Sequence, residues 1–187
     1  VAKAKELGCA RMTRAELLAE LFNASRRSVA VGGTSGKSTV TGMIGWILTD
    51  AGLDPTIMNG GVMKNFVSAD APFASARVGH GAVFISEVDE SDGSIALFRP
   101  EVAVLNNISL DHKSLTELRQ LFGDFAGSAK RAIWNADDIE SVALIAPMTL
   151  SNSISFGFTD RADVRAVDVV EMPIGSRFTL KANGQSW

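Results

Sequence analysis

Apolar residues recur along this chain with two spacings, one typical of helices and the other of buried strands. After a glycine-rich turn, the i, i+3, i+4, i+7 rhythm of an amphipathic helix runs up to Gly52. Its apolar members are Val40, Met43, Ile44, Ile47, Leu48 and Ala51. Short apolar runs, typical of strands buried on both faces of a parallel sheet, are SVAV at 28–31, GAVFISEV at 81–88 and EVAVLNN at 101–107. Strands that alternate with helices predict an α/β fold with a doubly wound, mostly parallel sheet flanked by helices.

Local signals place further elements and divide the chain into three parts. Thr13 with Glu16, and Ser114 with Glu117, have the spacing of capping boxes and predict two helix starts. From about Thr149 onward, β-type segments separated by turn residues predict a small, mostly antiparallel sheet at the C-terminal end. The expected parts are a helical lead-in over 1–27, an α/β core over 28–148 and a small β subdomain over 149–187.

Composition narrows the class of protein. The chain has 187 residues, enough for one sizeable domain with a buried core, and a formal net charge of −3. Its basic residues are scattered, which disfavours broad nucleic-acid binding. A single cysteine, Cys9, excludes an internal disulfide and fits a reducing compartment. Because no apolar run is long enough to span a bilayer, the sequence predicts a cytoplasmic protein with no membrane partner. The first residue, valine, and the strand-like last residues, ANGQSW, predict a piece of a longer chain.

The glycine-rich turn is a candidate phosphate-binding loop. The strict P-loop pattern G-x-x-x-x-G-K-[ST] needs glycine at position 31, where the chain has Val31, so the match is limited to GTSGKST. The alternative is a turn that merely precedes a core helix, but a predicted strand before it and a helix after it favour phosphate binding by backbone N–H groups. Lys37 would add a positive charge for the β- and γ-phosphates, and the Ser38 hydroxyl could bind Mg²⁺. The candidate phosphate-binding residues are Gly33, Thr34, Ser35, Gly36, Lys37, Ser38 and Thr39.

Two more polar motifs follow predicted strands. Four carboxylates lie within EVDESDG at 87–93, where Glu87 is the best candidate metal ligand, although a solvated acidic loop explains this motif equally well. In NISLDH at 107–112, His112 could ligate a metal or could be an ordinary surface histidine. In an open parallel sheet the ligand lies outside the carboxyl ends of the strands, and all three motifs fall at such ends. Together they predict a site for phosphoryl transfer, with ATP and Mg²⁺ as cofactors.

Taken in order, the motifs resemble those of the central ATP-binding domain of the Mur ligases, the enzymes that build the peptide stem of bacterial cell wall. The resemblance covers nearly the whole chain and includes GGTSGKST at 32–39, EVDESDGS at 87–94 and NNISLDH at 106–112. The EVDESD segment is similar to the branch of the family that acts on UDP-N-acetylmuramate. The family fold implies a P-loop α/β domain, with missing N- and C-terminal domains that would belong to the same longer chain.

The resemblance implies an ATP-dependent amide ligase of peptidoglycan precursor synthesis. In that family a carboxylate of the sugar nucleotide attacks the γ-phosphate of ATP, and an amine then displaces phosphate. The implied catalytic residues are Lys37, Glu87 and His112. Ser38 and Glu87 would hold one Mg²⁺, His112 would help to hold a second, and Asn107 would lie near the nucleotide. The expected partners are a UDP-N-acetylmuramate-type sugar nucleotide and an amino acid or peptide.

The sequence also departs from the family pattern. Ser35 and Ser38 stand where alanine-adding members usually have histidine and threonine, so the resemblance implies no particular amino acid. Two alternatives stay open: a nucleotide-binding regulatory or assembly module without ligase activity, and another ligase of the superfamily, of the folylpolyglutamate or cyanophycin type. The absence of an N-K-x-D guanine motif argues against a GTPase switch.

Overall fold

The computed structural model describes residues 2–111, 113–148, 150 and 152–187. The helices in this part of the chain are α1 (Ala2–Glu6), α2 (Arg14–Asn23), α3 (Lys37–Asp50), α4 (Leu115–Ser128) and α5 (Ile139–Ile145), with 3₁₀ turns at Lys64–Phe66 and Ser94–Leu97. The strands are β1 (Arg27–Gly32), β2 (Thr56–Met58), β3 (Ala76–Arg77), β4 (Val83–Glu87), β5 (Val102–Leu105), β6 (Arg131–Asn135), β7 (Ser153–Gly157), β8 (Val164–Met172), β9 (Gly175–Ala182) and β10 (Gln185–Ser186). The described strands form one sheet in the order β10-β9-β8-β7-β6-β5-β1-β4-β2-β3.

The parallel part of the sheet is centred on β1, the strand that precedes the glycine-rich turn. β1 pairs in parallel with β4 on one side and with β5 on the other. β2 continues the parallel arrangement beyond β4, and β6 and β7 continue it beyond β5. Because these strands run in the same direction, the residues that follow β1, β4 and β5 lie together at the carboxyl ends of the parallel strands. The three polar motifs therefore begin side by side.

The C-terminal strands change the sheet from parallel to antiparallel. β8 pairs in parallel with the end of β7 and then forms a long antiparallel hairpin with β9, to which β10 adds. The predicted fold class, an α/β mostly parallel sheet with antiparallel strands at the C-terminal end, is confirmed. β7, which the sequence pattern grouped with the C-terminal segment, is a parallel strand of the main sheet.

Helices cover both faces of the central strands. On one face, Phe22 of α2 and Phe122 of α4 are fully buried in a cluster with Ala30, Ala103 and Leu105 of the sheet. On the other face, α3 packs over a second cluster formed by Ile57, Met63 and Ile85. Burial on both sides explains why the central strands are continuous apolar runs and do not alternate with polar residues.

Local helix signals in the sequence are confirmed. Thr13 accepts a hydrogen bond from the Glu16 backbone while the Glu16 side chain accepts one from the Thr13 backbone, and Ser114 and Glu117 form the same reciprocal pair at the start of α4. Hydrogen bonds from the Ser114 side chain and backbone hold the pKa of Glu117 below its usual range. None of the described helices is long and apolar enough to cross a membrane.

Phe22 is expected to be a major contributor to stability. Its ring is fully buried and makes edge contacts with Phe84 and Phe98, with ring centroids 5.5 and 5.2 Å apart. Phe22→Ala should lower the free energy of unfolding by about 3–5 kcal/mol, because it removes buried apolar area and leaves a cavity. Urea unfolding monitored by circular dichroism measures this loss. Phe73→Ala is the matched control, since Phe73 is 81% exposed, and an equal loss in both variants would contradict the assignment of Phe22 to the core.

Candidate functional site

The turn between β1 and α3 has a backbone shape that requires glycine at two positions. Gly33 has φ of 138° and Gly36, the N-cap of α3, has φ of 74°. A Cβ on Gly33 would lie 3.1 Å from backbone atoms of Asn107, and one on Gly36 would lie 2.8 Å from the Asn106 side chain. Both the left-handed conformation and the close packing therefore exclude larger residues.

Asn107 and Asn106, which follow β5, hold the turn in this shape. Asn107 Oδ1 accepts hydrogen bonds from the Thr34 hydroxyl and from the Ser35 backbone N–H, both at 2.9 Å. Asn107 O accepts the Thr34 backbone N–H at 3.1 Å. Asn106 Nδ2 donates to Ser35 O at 2.8 Å, a contact that the sequence analysis did not anticipate. The side-chain oxygen of Asn107 thus shapes the turn, and a contact between Asn107 and nucleotide stays a prediction.

The segment after β5 is anchored in turn by the junction of β6 and α5. Asn135 Nδ2 donates to Asn106 O at 3.1 Å. Asp138 Oδ2 accepts the Ile108 backbone N–H at 3.1 Å and also caps α5 by accepting the Ser141 backbone N–H at 2.8 Å. The polar contacts at the glycine-rich turn therefore extend across the carboxyl ends of three neighbouring strands, β1, β5 and β6.

Lys37, the first residue of α3, folds back over the turn. Its Nζ lies 2.8 Å from Gly33 O and 2.9 Å from Glu90 Oε2. The Lys37 and Glu90 side chains are only 16% and 5% exposed. The sequence pattern alone does not identify Glu90 as the partner of Lys37, although a buried glutamate needs a cation or several hydrogen-bond donors.

Glu87 ends β4 beside Val31, and one of its oxygens has no protein partner. Glu87 Oε2 is buried and accepts no hydrogen bond from the described residues. The backbone of Gly60 packs directly against the Glu87 carboxylate, where a Cβ would clash, and a Cβ on Gly61 would lie 3.7 Å from Ser38 Cβ. The glycine pair at 60–61 therefore lies between Ser38 and Glu87. A buried carboxylate oxygen without a protein partner is a ligand type that suits a hard cation such as Mg²⁺.

The two aspartates of the acidic segment accept hydrogen bonds from backbone N–H groups of the same segment. Asp89 Oδ1 accepts the Ser91 backbone N–H and Asp92 Oδ1 accepts the Ser94 backbone N–H, each at 2.8 Å. Hydrogen bonds from the Ser94 side chain and backbone hold the pKa of Asp92 below its usual range. Among the described residues, no group of three or more His, Cys, Asp or Glu side chains could hold a metal ion. His112, the predicted ligand of a second metal, lies outside the described residues.

Comparison with known families decides the assignment. Residues 31–186 match the Mur ligase middle domain family. The chain belongs to the Mur ligase middle domain family.

Relatives of this middle domain carry ligase names. The chain is 38% identical over 174 residues to UDP-N-acetylmuramate--L-alanine ligase from Sulfurihydrogenibium sp. (strain YO3AOP1). This match covers 89% of the chain and 37% of the relative. It is 35% identical over 190 residues to the enzyme of the same name from Desulfatibacillum aliphaticivorans, covering 97% of this chain and 40% of the relative. The middle domain thus spans about two fifths of the length of these curated relatives.

A solved structure agrees with the fold of this middle domain. The murein peptide ligase from Psychrobacter arcticus 273-4 superposes with a TM-score of 0.80 at 25% identity. The match covers 98% of this chain and 43% of the solved chain.

A cavity lies beside Glu87, at the carboxyl end of β4. It has a volume of about 470 Å³, and its lining includes Arg14, Asn59, Gly60, Glu87 and Asp89. A larger groove of about 710 Å³ lies between α4 and α5, but none of the predicted site residues lines it. Of the predicted site residues, Glu87 lines the 470 Å³ cavity, whereas Ser38 and Thr39 line a separate cavity of about 370 Å³.

Gly36→Ala should damage both stability and phosphate binding in the middle domain. A left-handed φ costs an alanine about 1–2 kcal/mol, and the added Cβ would also press on the Asn106 amide that donates to Ser35 O. Gly52→Ala is the matched control, because Gly52 has nearly the same φ of 76° and no atom within 4 Å of the added Cβ. Urea unfolding should show a cost in both variants, whereas a weaker ADP affinity by isothermal titration should appear only in Gly36→Ala. Equal ADP affinity in the two variants would contradict a role of the Gly36 turn in binding.

Proposed function

We propose that this middle domain binds Mg²⁺-ATP at residues 33–39 and serves an ATP-dependent ligase that joins an amino acid or peptide to UDP-N-acetylmuramate. The names of the curated relatives support the reaction class, since both are UDP-N-acetylmuramate--L-alanine ligases. ATP and a UDP-sugar are cytoplasmic metabolites, so we place the reaction in the cytoplasm. Because the domain spans 37% and 40% of these relatives, we assign no residue of this chain to recognition of the added amine.

The observation that carries the proposal is the turn from β1 into α3. Its glycines bring backbone N–H groups to the N-terminus of a helix of 14 residues, and Lys37 lies over the same turn. Helix N-termini and successive backbone N–H groups attract anions, and phosphate is the anion that this arrangement favours most. Lys37 would hold the transferred phosphoryl group by its charge, and the surrounding N–H groups would bind the remaining phosphate oxygens.

Ser38 and Glu87 are the residues that would hold a magnesium ion. Ser38 is the second residue of α3, and the buried oxygen of Glu87 that lacks a protein partner lies across the glycine pair at 60–61. When bound, Mg²⁺ would neutralise charge on the phosphate oxygens and so favour attack on the γ-phosphorus and departure of ADP. We propose His112 as a ligand of a second ion.

The proposed reaction divides into two steps that balance. A carboxylate oxygen of UDP-N-acetylmuramate attacks the γ-phosphorus, and the bond to ADP breaks. The amine of the amino acid then attacks the activated carbonyl carbon to form the amide C–N bond, inorganic phosphate leaves with the former carboxylate oxygen, and the nitrogen gives up one proton to solvent. The Lys37 charge and the backbone N–H groups of the turn favour the first step, because they lie where phosphate charge develops.

The decisive experiment follows an oxygen atom. UDP-N-acetylmuramate labelled with ¹⁸O in its carboxylate is supplied with ATP, Mg²⁺ and L-alanine to a full-length ligase that carries this domain. We expect one ¹⁸O atom in each inorganic phosphate released, detected by mass spectrometry, because the carboxylate oxygen leaves with phosphate. Phosphate release without ¹⁸O would refute the acyl-phosphate route.

The same assay tests the alternative of a binding module without ligase activity. Omission of UDP-N-acetylmuramate should abolish phosphate release, and replacement by folate or by a polyaspartate acceptor should give none. ADP binding to the 187-residue chain without any acceptor-dependent phosphate release in the full-length protein would favour the module instead.

A further inference from the structure

The Lys37 ammonium has no donor left for a phosphate. An ammonium has three N–H donors. Lys37 Nζ lies 2.8 Å from Gly33 O, 2.9 Å from Glu90 Oε2 and 3.2 Å from Glu90 Oε1. A phosphate oxygen that reaches Lys37 must therefore displace one of these acceptors.

Glu90 cannot easily give up this partner. The residue is 4% exposed, and in the described part of the chain Lys37 is the cation within ion-pair distance of its carboxylate. A buried carboxylate that loses its cation pays the full cost of desolvation. Glu90 therefore stays at the turn when phosphate arrives, and two anions must share one ammonium.

We propose that Glu90 is an internal anion that competes with nucleotide phosphate for Lys37 and thereby sets how tightly residues 33–39 bind nucleotide. This inference rests on the proposed function, because it takes the turn to be a phosphate site. Glu90 is a positioning residue that acts through Lys37, distinct from Glu87, whose buried Oε2 has no partner among the described residues.

The competition has a definite sign. Glu90 and a phosphate on Lys37 would repel each other, and repulsion of like charges weakens binding of the second anion. Removal of the Glu90 charge should therefore tighten nucleotide binding, on the order of tenfold. Mg²⁺ neutralises the phosphates, so the gain should be smaller when the ion is present.

The experiment compares ADP affinity in wild type and Glu90→Gln by isothermal titration, in EDTA and in excess Mg²⁺. Glutamine keeps the shape and one acceptor oxygen, so Lys37 stays packed while the negative charge is removed. We expect Glu90→Gln to bind ADP about tenfold more tightly than wild type in EDTA, with a smaller gain in Mg²⁺. Glu171→Gln is the matched control, since Glu171 is an exposed carboxylate of the C-terminal hairpin and its loss should leave the affinity unchanged.

Three outcomes decide between the inference and a purely structural role. Weaker or unchanged ADP binding in folded Glu90→Gln overturns the inference, as does an equal gain with and without Mg²⁺. If Glu90→Gln does not fold, Glu90→Met takes its place, because methionine also removes the charge and has a side chain of similar length. Glu90→Met should still bind ADP more tightly than wild type in EDTA, and equal or weaker binding overturns the inference.

A third variant separates this inference from the proposed function. Lys37→Met is combined with Glu90→Gln so that no buried carboxylate is stranded. If the double variant loses ADP binding while Glu90→Gln binds ADP as wild type does, the role of Glu90 is overturned but the proposed phosphate site is not. Wild-type ADP affinity in both the double variant and Gly36→Ala overturns the proposed phosphate site itself.

Discussion

Lys37→Ala is expected to lower kcat of the full-length ligase by about 100-fold or more, the scale for loss of one electrostatic stabiliser of a transition state. The ammonium lies over the glycine turn, 2.8 Å from Gly33 O, where charge on the transferred phosphoryl group would develop. The apparent KM for ATP should change less, because backbone N–H groups of the turn would still bind phosphate in the ground state. Steady-state phosphate release with UDP-N-acetylmuramate and L-alanine measures both constants.

Stability must be separated from catalysis in this test, because Lys37→Ala strands the buried Glu90 carboxylate. Breaking a buried ion pair on one side costs about 3–5 kcal/mol, enough to unfold a marginal domain. The double variant Lys37→Ala/Glu90→Gln removes this cost and should remain as slow as Lys37→Ala. Lys130→Ala is the surface control. Lys130 is exposed and directly precedes β6, so it lies at the amino ends of the parallel strands, away from the glycine turn. Recovery of wild-type kcat in the double variant would show that Lys37 acts on folding and not on phosphoryl transfer.

Glu87→Gln is expected to raise the Mg²⁺ concentration needed for half-maximal activity by about tenfold or more. Glutamine keeps the side-chain shape against Gly60 but replaces an anionic ligand by a neutral amide. The buried oxygen without a protein partner would no longer attract the cation. A Mg²⁺ titration of phosphate release at saturating substrates measures the midpoint. Glu101→Gln, at the other end of the parallel strands, should keep the wild-type midpoint. Equal midpoints for wild type and Glu87→Gln would refute the metal assignment even if the variant were slow.

Features that depend on neighbouring residues could be predicted from the sequence. The capping boxes at Thr13 and Ser114 link residues three positions apart, and both form as predicted. The spacing of apolar residues after the glycine turn correctly predicts α3. It does not predict which side chains are buried, because Met43 and Ile47 share the helical rhythm yet are both 59% exposed. Periodicity defines an amphipathic face, whereas burial depends on which elements pack against that face.

Features that join distant residues could be predicted only in part. The glycine turn, Glu87 and Asn107 each follow or end a predicted parallel strand. Because the carboxyl ends of parallel strands lie on the same side of a sheet, the sequence correctly predicts that these residues lie close together. The partner of Lys37 could not be foreseen, because Glu90 lies 53 positions away among four carboxylates of similar chemistry. Asn107 was expected to contact nucleotide because of the family resemblance, but periodicity carries no information on its hydrogen bonds to Thr34 and Ser35.

The hydrogen bonds that shape the glycine turn have a consequence for how the protein is made. Residues 33–36 leave the ribosome early, but Asn106, which donates to Ser35 O, follows 71 positions later. Asp138, which accepts the Ile108 backbone N–H, comes 30 positions after Ile108. A nascent chain that ends before Asp138 therefore contains the whole GTSGKST sequence but lacks a hydrogen bond that anchors the segment packed against it. If this turn binds nucleotide as proposed, nucleotide should stabilise the domain fully only after β6 and the start of α5 have joined the sheet.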